Sequence, residues 1–408
     1  MVDYKLPNSR MKDALAGVGI REIVSKAEAM ERCGGYKKLP AYGFSNKVIH
    51  LEIGRPDYDS PACAKKTAVE ALERGAVHYT DMSGTPELRH AIADSFQRDF
   101  GMEVDANGEV VVTVGAIEAL ATTLFTILEP GDEVIVPSPF FPAYSVQIAL
   151  AGGVLKEAPC RFEDGFHIDL TAIESAVTER TRMILLNTPN NPTGATARRE
   201  ELEVIAYLAH KHDLLVVSDE CYEKFLYEGR HISIASLPGM RERVIIIGAA
   251  SKTFSMTGWR VGWLILPPEI QPYAAKCHQN LTTCAVSFAQ AGVAEALKNA
   301  HSDVTRMIDG YRERRDFFVE RLKGVPGMEV YLPEGAFYVF PRVSGLTERF
   351  AVTTVELAAW LLEEAGVATV PGDVFHAPGD FLRMAYCRSS EELAEAAYRM
   401  KAAIQRIW

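Results

Sequence analysis

The sequence lacks the features that mark several large classes of protein. Its apolar runs, such as Val261 to Leu266, fall far short of the roughly 18 residues that a membrane-spanning helix requires. Lys and Arg number 43 against 54 Asp and Glu, a net charge of −11, which disfavours nucleic acid and anionic membranes as partners. Charged residues precede any apolar run at the N-terminus, so no secretory signal is expected and a cytoplasmic location is predicted.

Cysteine is sparse and dispersed. The seven cysteines are odd in number and form no C-x-x-C pair, which predicts reduced thiols, no disulfide framework and no metal site. No repeat or low-complexity tract divides the chain. The 408 residues, 48% of them hydrophobic, are enough for two or three domains with a substantial core.

Short apolar strands alternate with longer helical patterns in the middle of the chain. Such continuous apolar runs indicate strands buried on both faces. The sequence therefore predicts an α/β large domain, with a mostly parallel sheet covered by helices on both faces. The six predicted strands are Val110 to Val114, Val134 to Val136, Met183 to Leu186, Leu214 to Ser218, Val244 to Ile247 and Val261 to Leu266.

The ends of the chain have a different texture. The pattern predicts a helix over Ile20 to Arg32 that packs with the C-terminal part, and a helix over Thr354 to Ala365 ended by Gly366. Glu329 to Tyr331 and Ala336 to Phe340 are predicted to pair as an antiparallel hairpin. We therefore expect a smaller α+β domain built from residues 1–54 and 301–408, with residues 55–300 forming the large domain.

Special residues follow the predicted strands. In open parallel sheets, ligands bind beyond the carboxyl ends of the strands. Gly115 opens a helix whose free amides suit a phosphate, and a stacking ring, a carboxylate, a phenol, a lysine and an arginine accompany it. Pyridoxal 5'-phosphate (PLP) requires a Lys for its Schiff base and a carboxylate for its ring nitrogen. The candidates are Gly115, Ala116, the pair Phe140 and Phe141, an asparagine among Asn187, Asn190 and Asn191, and Asp219, Tyr222, Ser251, Lys252 and Arg260.

At these residues the chain resembles the class I aminotransferases of PLP fold type I, the aspartate aminotransferase-like group. The segment Ser251 to Gly262, SKTFSMTGWRVG, is similar to that family's lysine signature. Asn190 to Gly194, Ser218 to Tyr222 and Gly335 to Tyr338 resemble further family blocks in the family's order. The resemblance extends over roughly residues 15–405.

The resemblance implies roles for individual residues. Lys252 would bind the cofactor and move a proton, Asp219 would pair with the pyridine nitrogen, and Tyr222 would hydrogen-bond the ring oxygen together with Asn191. Phe141 would stack on the ring. The rest of the cofactor site would comprise Gly115, Ala116, Ile117, Ser251, Arg260 and, in a homodimer with shared active sites, Tyr79 of the partner subunit.

Substrate recognition is implied in the same way. Arg383 would grip the substrate α-carboxylate, with Gly54 and Asn191 beside it. Aspartate-specific members tend to carry Lys where this chain has Ile117, and no substitute cation is evident, so a neutral or apolar donor is expected. Ala249 stands where the family often has a phosphate-binding Ser. The candidate side-chain pocket consists of Ile20, Ile117, Phe141, His376 and Tyr79 of the partner subunit.

The expected activity is transfer of an amino group from an L-amino acid to a 2-oxo acid by a ping-pong mechanism. A carbon–sulfur β-lyase on the same fold is the alternative, because both chemistries use the same cofactor machinery. A PLP-binding regulatory protein is a third reading. Taken singly, Phe141 could belong to the core, Arg383 to a surface ion pair, and Tyr79 could be a buried structural tyrosine.

Overall fold

The computed structural model describes residues 20–36, 46–377 and 379–408. Within these ranges, no helix is both long enough and apolar enough to cross a bilayer. The strands are β1 (Ile49–His50), β2 (Val110–Thr113), β3 (Glu133–Ser138), β4 (Val154–Pro159), β5 (Thr181–Asn187), β6 (Leu215–Asp219), β7 (Val244–Ala249), β8 (Gly262–Ile265), β9 (Tyr338–Val339), β10 (Val367–Ala368), β11 (Val370–Pro371) and β12 (Leu382–Ala385).

The α-helices account for much of the remaining chain. They are α1 (Ile20–Arg32), α2 (Ala62–Glu73), α3 (Pro86–Phe100), α4 (Ala116–Ile127), α5 (Ala143–Leu150), α6 (Leu170–Ala176), α7 (Arg199–Lys211), α8 (Ala250–Thr253), α9 (Gln271–Thr282), α10 (Ser287–Asn299), α11 (His301–Leu322), α12 (Ser344–Phe350), α13 (Thr354–Ala365) and α14 (Ser390–Gln405).

The large sheet has seven strands in the order β2–β8–β7–β6–β5–β3–β4. The pairs from β7 through β4 are all parallel, whereas β8 runs antiparallel to both of its neighbours. The predicted mostly parallel sheet is confirmed. Its strands bring their carboxyl ends to one edge, which is where a ligand site is expected.

Both faces of this sheet are buried. In β7, Ile245 and Ile247 pack in one apolar cluster with Leu120 of α4, while Val244 and Ile246 pack in a second cluster with α3 and α7. Successive side chains of a strand point to opposite faces, so the uninterrupted apolar run needs a helical cover on each side. Burying each such aliphatic side chain contributes about 1.5–3 kcal/mol.

Strand β4 was not among the predicted strands. It lies at the edge of the sheet and pairs only with β3. Its side chains are mostly exposed or half-buried, and Lys156 and Glu157 interrupt its apolar pattern. A strand that buries so little apolar surface has no continuous hydrophobic run by which the sequence could reveal it.

The two chain ends form a second, smaller α+β unit. Strand β1 pairs in parallel with β10, and β11, β12 and β9 form an antiparallel sheet. Helix α1 has the predicted bounds, and its Ile23 and Ala27 pack against Leu362 and Phe375 of the C-terminal part. The exact domain boundaries after residues 54 and 300 stay predictions.

The predicted hairpin is wrong in its pairing. Glu329 forms only an isolated antiparallel bridge with Arg342, whereas Tyr338–Val339 pairs with β12. The turn between them docks on the large domain instead. The backbone N–H groups of Glu334 and Gly335 both donate to the Gly194 carbonyl, at 3.0 and 2.8 Å, so this turn closes a contact between the domains rather than a hairpin.

A buried histidine reinforces that contact. His167 Nδ1 lies 3.3 Å from Glu201 of α7, and its Nε2 lies 3.2 Å from Glu334 in the docked turn. Burial opposes protonation, but the hydrogen bonds to Glu201 and Glu334 outweigh it and raise the pKa of His167 to about 9. The imidazolium therefore joins two carboxylates that come from different parts of the chain.

The His167→Gln variant is expected to be less stable, by about 1–3 kcal/mol. A raised folded-state pKa means that this stabilisation is fully present below the unfolded pKa of about 6.5 and is lost as the pH rises through about 9. Thermal unfolding of the cofactor-free protein at several pH values measures the difference. The exposed His212→Gln variant is the control, and an equal deficit at all pH values would contradict the assignment.

Candidate active site

A cavity of about 320 Å³ opens at the carboxyl ends of β5, β6 and β7. It brings together nearly all of the predicted site residues, from both parts of the chain. Lining residues from the large domain are Ala116, Ile117, Phe141, Asn191, Asp219, Tyr222, Ser251, Lys252 and Arg260, and those from the chain ends are Ile20, Gly54 and Arg383. Lys252 and Asp219 therefore share one cavity, as the PLP hypothesis requires.

Asp219 is a buried carboxylate at the end of β6. The Tyr144 hydroxyl donates to its Oδ2 at 2.7 Å, and the Cys221 amide donates to its Oδ1 at 3.1 Å. Asp219 forms no ion pair with any described residue, and burial raises its pKa. The cavity thus holds an acid that lacks a cation, and a pyridine nitrogen carrying a proton would supply one.

Lys252 lies in the short helix α8, directly after β7. Its Nζ donates to the Gly54 carbonyl at 2.7 Å and sits 5.7 Å from the centre of the Phe337 ring. Burial lowers the pKa of Lys252 to about 8. A larger fraction of neutral amine is then present near neutral pH, which suits a nucleophile and a proton carrier.

The start of α4 forms a cradle for an anion. Gly115 is its N-cap with φ +81°, and the first amides of the helix have no acceptor within the helix. A Cβ at Gly115 would lie 2.5 Å from Arg260 Nη2. Arg260 itself donates to the Thr257 and Val114 carbonyls at 3.0 and 3.3 Å, which fixes its guanidinium beside the helix start.

Arg383 is a buried cation on β12. Its Nη1 donates to Asn191 Oδ1 at 3.2 Å, and its Nη2 donates to the Glu52 carbonyl. The guanidinium lies over the rings of Tyr338 and Phe375, at 4.7 and 4.8 Å. Its Nε has no hydrogen-bond partner among the described residues, and burial lowers its pKa. An anionic ligand in the cavity would satisfy this group.

Tyr222 and Tyr338 form a phenol pair in the wall of the cavity. Their hydroxyl oxygens lie 2.8 Å apart, and both side chains are buried. Gly54 makes room for them, because a Cβ there would overlap the Tyr338 hydroxyl. Burial raises the pKa of Tyr222 well above its ordinary value, so the phenol keeps its proton and can donate it in a hydrogen bond.

Two predicted residues lie elsewhere. Tyr79 is 85% exposed and is not part of the cavity of its own chain. His376 was expected in the side-chain pocket, and that prediction is wrong. Its ring stacks on Phe140 at 4.6 Å, and its Nδ1 lies 2.9 Å from Glu157 Oε1, so strand β4 and the turn after β3 hold it away from the cavity.

Several lining residues were not predicted. Tyr338 was part of a recognised block without a role, Tyr144 is the first donor to Asp219, and Glu52 and Val24 complete the wall near α1. Only Tyr338 carried a sequence signal, through its place beside Gly335. The other three lie within a strand connection or a helix, where their residue types are ordinary.

The residues present fit PLP. The cavity combines a desolvated lysine amine, a buried carboxylate without a cation, a glycine-opened helix start beside Arg260, and a half-buried Phe141 ring. These match an aldehyde, a protonated pyridine nitrogen, a phosphate and an aromatic face. Ala249 lines the cavity at the position where the family often has a phosphate-binding serine, so the amides at the start of α4 and Arg260 would hold the phosphate.

Comparison with known proteins agrees with the geometry. The sequence model of the family described as "Aminotransferase class I and II" matches residues 46–400. The chain is 41% identical over 375 residues to the probable aspartate/prephenate aminotransferase of Aquifex aeolicus, which covers 91% of this chain and 94% of that protein.

Solved structures give the same result. The aromatic aminotransferase of Pyrococcus horikoshii is 39% identical, with a TM-score of 0.85 and coverage of 90% of this chain and 98% of that one. The Thermus thermophilus aspartate aminotransferase with maleate is 37% identical, with a TM-score of 0.88 and coverage of 97% and 99%.

Fold and cavity together define a PLP-dependent enzyme of fold type I. The chain belongs to the class I and II aminotransferase family, and its activity is that of a transaminase. The predicted family, fold class, cofactor and class of enzyme are confirmed.

The Gly115→Ala variant is expected to bind PLP at least about tenfold more weakly, because its Cβ overlaps Arg260 and its φ is unfavourable. Fluorescence titration of the cofactor-free protein measures the affinity. Gly131→Ala is the control, since Gly131 also has a positive φ, +97°, but nothing lies within 4 Å of its Cβ position. Equal affinities in the two variants would refute the cradle.

Proposed function

We propose that this aminotransferase takes its amino group from an L-amino acid with a neutral or apolar side chain, including aromatic ones. The observation that carries the proposal is the apolar end of the cavity, lined by Ile20, Val24, Ile117, Leu120 and Phe141. Among described lining residues the lysines and arginines are Lys252, Arg260 and Arg383, each of which has another task. A side-chain carboxylate would be buried there without a cation.

The names of the relatives point both ways. The Aquifex aeolicus and Thermus thermophilus proteins carry aspartate in their names, whereas the Pyrococcus horikoshii protein is named for aromatic substrates. Overall similarity therefore does not choose the donor. The lining of the side-chain pocket is the physical basis for the choice, and Ile117 is one of its residues.

Each catalytic residue has a role in this proposal. Bound PLP supplies an aldehyde that accepts the amino group and a ring that withdraws electrons from the reacting carbon. Asp219 would hold a proton on the ring nitrogen, and Tyr222 and Asn191 would donate to the ring oxygen. Lys252 would carry the proton that leaves the substrate α-carbon, and its lowered pKa suits its Nζ to that task.

Both substrates of the ping-pong reaction carry an α-carboxylate. Arg383 receives this carboxylate, because its guanidinium is buried and its Nε lacks a partner within the described part of the chain. Asn191 and the Glu52 carbonyl fix the orientation of the guanidinium. Binding the amino acid and the oxo acid through the same group leaves the apolar end to decide which side chains are accepted.

An absorbance-monitored half-reaction tests the donor class. The holoenzyme is mixed with single amino acids without acceptor, and alanine or phenylalanine is expected to convert the cofactor at least about tenfold more efficiently than aspartate. The Lys252→Ala variant is the negative control. Faster conversion of the cofactor by aspartate would refute the donor class. Release of pyruvate and ammonia from a cysteine conjugate, without conversion of the cofactor, would identify a lyase.

The Ile117→Lys variant sharpens the same test. A lysine at this half-exposed position is expected to raise kcat/KM for aspartate about fivefold and to lower that for phenylalanine, because an ion pair there contributes up to about 1 kcal/mol. Val204→Lys, a similar change on the outer face of α7, should leave both values unchanged. Equal behaviour of the two variants would contradict the assigned pocket.

The active unit in this proposal is a homodimer with shared sites. Tyr79 is 85% exposed on its own chain, beside exposed Val77 and Met82, so it is available to a second copy. In the dimer, Tyr79 of the partner subunit reaches the phosphate. The seven free thiols, three of them buried, support a reducing, cytoplasmic location.

Mixing two inactive variants tests the shared site. A dimer of one Lys252→Ala chain and one Tyr79→Ala chain contains one complete site and one doubly defective site. Equal, exchanged mixtures should therefore recover about a quarter of wild-type activity, since half of the dimers are mixed. Sedimentation measures the mass. No recovery in verified mixed dimers, or full activity of Tyr79→Ala alone, would refute the role of Tyr79.

A further inference from the structure

Glu52 is a buried carboxylate in the cavity wall that the proposed reaction does not use. It has no exposed surface, and its Oε2 has no hydrogen-bond partner among the described residues. The backbone and the side chain of Glu52 have different contacts. Its backbone carbonyl accepts from Arg383 Nη2, and its side-chain Oε1 lies 2.7 Å from His50 Nδ1. One residue thus contacts both the substrate arginine and a histidine.

His50 continues this series of contacts to the opposite wall. Its Nε2 lies 3.5 Å from Glu31 Oε1, in the last turn of α1. The same helix contributes Ile20 and Val24 to the apolar end of the cavity. Contacts of the backbone and of the side chain of Glu52 therefore connect Arg383 with His50, and His50 contacts the helix that faces the substrate side chain.

We infer that His50 and Glu52 are positioning residues, which fix the α1 wall of the side-chain pocket relative to Arg383 through the ion pair with Glu31. The inference rests on the proposed function, since it takes Arg383 as the carboxylate site and α1 as part of the side-chain pocket. If the α1 wall and Arg383 are already held in one geometry, substrate binding loses less conformational entropy in ordering them. The connection therefore acts on affinity and not on the chemical step.

The charges around His50 require its protonated form. Glu31 faces the ring from α1 and Glu52 from its own segment, while Arg388 Nε donates to the His50 carbonyl. The hydrogen bond to Glu52 raises the pKa of His50, although burial and Arg388 oppose it. Protonated His50 bridges both carboxylates, and the bridge is lost as the pH rises through this raised pKa.

Kinetics of the holoenzyme test the inference. Glu31→Gln and His50→Gln are expected to raise KM for the donor about three- to fivefold while kcat stays within about twofold, as loss of a partly exposed ion pair predicts. The control is Glu28→Gln on the same helix, because Glu28 pairs with exposed Arg32, at 3.8 Å, and with no other residue of the described part of the chain. It removes the same charge and should change neither constant.

A binding measurement provides a readout that is independent of turnover. The affinity of the holoenzyme for 3-phenylpropanoate, an unreactive carboxylate, should fall about three- to fivefold in Glu31→Gln, by calorimetry. In the wild type it should also weaken as the pH rises through the raised pKa of His50, and in His50→Gln this pH dependence should be smaller. The two substitutions should not be additive, because they break one connection.

Two results would overturn the inference: Glu31→Gln behaving like Glu28→Gln, or a fall in kcat at unchanged KM. Glu31 lies at the helix surface, so its variant remains decisive even if His50→Gln fails to fold. Each variant is compared with the wild type on the donor that the wild type uses best. A preference for aspartate would therefore refute the proposed donor class and leave this comparison valid.

Discussion

Two buried charges of opposite sign stand in one cavity without counter-ions, and the architecture of the site depends on them. Asp219 receives only a phenol and an amide, and Arg383 contacts a carbonyl, an amide oxygen and two ring faces. Neither forms an ion pair with a described residue. An unpaired buried ion costs several kcal/mol, so the folded chain keeps both groups at a cost that bound ligands relieve.

The sheet determines where these charges lie. Asn187 pairs in register with Asp219, and its side-chain amide donates to the Asp219 carbonyl at 3.1 Å. The Asn187 side-chain oxygen also accepts from the backbone N–H of Asn191 at 2.8 Å. The Asn191 side-chain oxygen in turn accepts from Arg383. The end of a buried strand is thereby connected, through two asparagines, to the substrate arginine. Cofactor and carboxylate sites are held by one hydrogen-bonded path.

Much of the large domain could be predicted because its buried strands are uninterrupted apolar runs and several functional residues stand at or just after a strand end. Asp219, the last residue of β6, and Lys252, in the helix after β7, are examples. The edge strand β4 could not be found, since it buries few apolar side chains. The pairing of residues 329–331 was misassigned because the local pattern suggested a hairpin. The turn is instead determined by its hydrogen bonds to the carbonyl of Gly194, which is distant in sequence.

Contacts between distant segments account for the remaining errors at the site. Tyr338 reaches the cavity by pairing with Tyr222, 116 positions away in sequence, and no local pattern encodes such a distance. The prediction for His376 was wrong because distant contacts hold its ring away from the pocket. The ring stacks on Phe140 and forms an ion pair with Glu157.

The reacting geometry depends on how the two parts of the chain are held together. Lys252 and Asp219 belong to the large domain, whereas Arg383 and Tyr338 come from the C-terminal sheet. The phenol pair and the bond from Arg383 to Asn191 both cross between these parts. A displacement of about 1 Å between a substrate group and its catalytic partner can cost about a hundredfold in rate. The docked turn at Gly335 and the His167 bridge hold these two parts together, although neither touches the cavity.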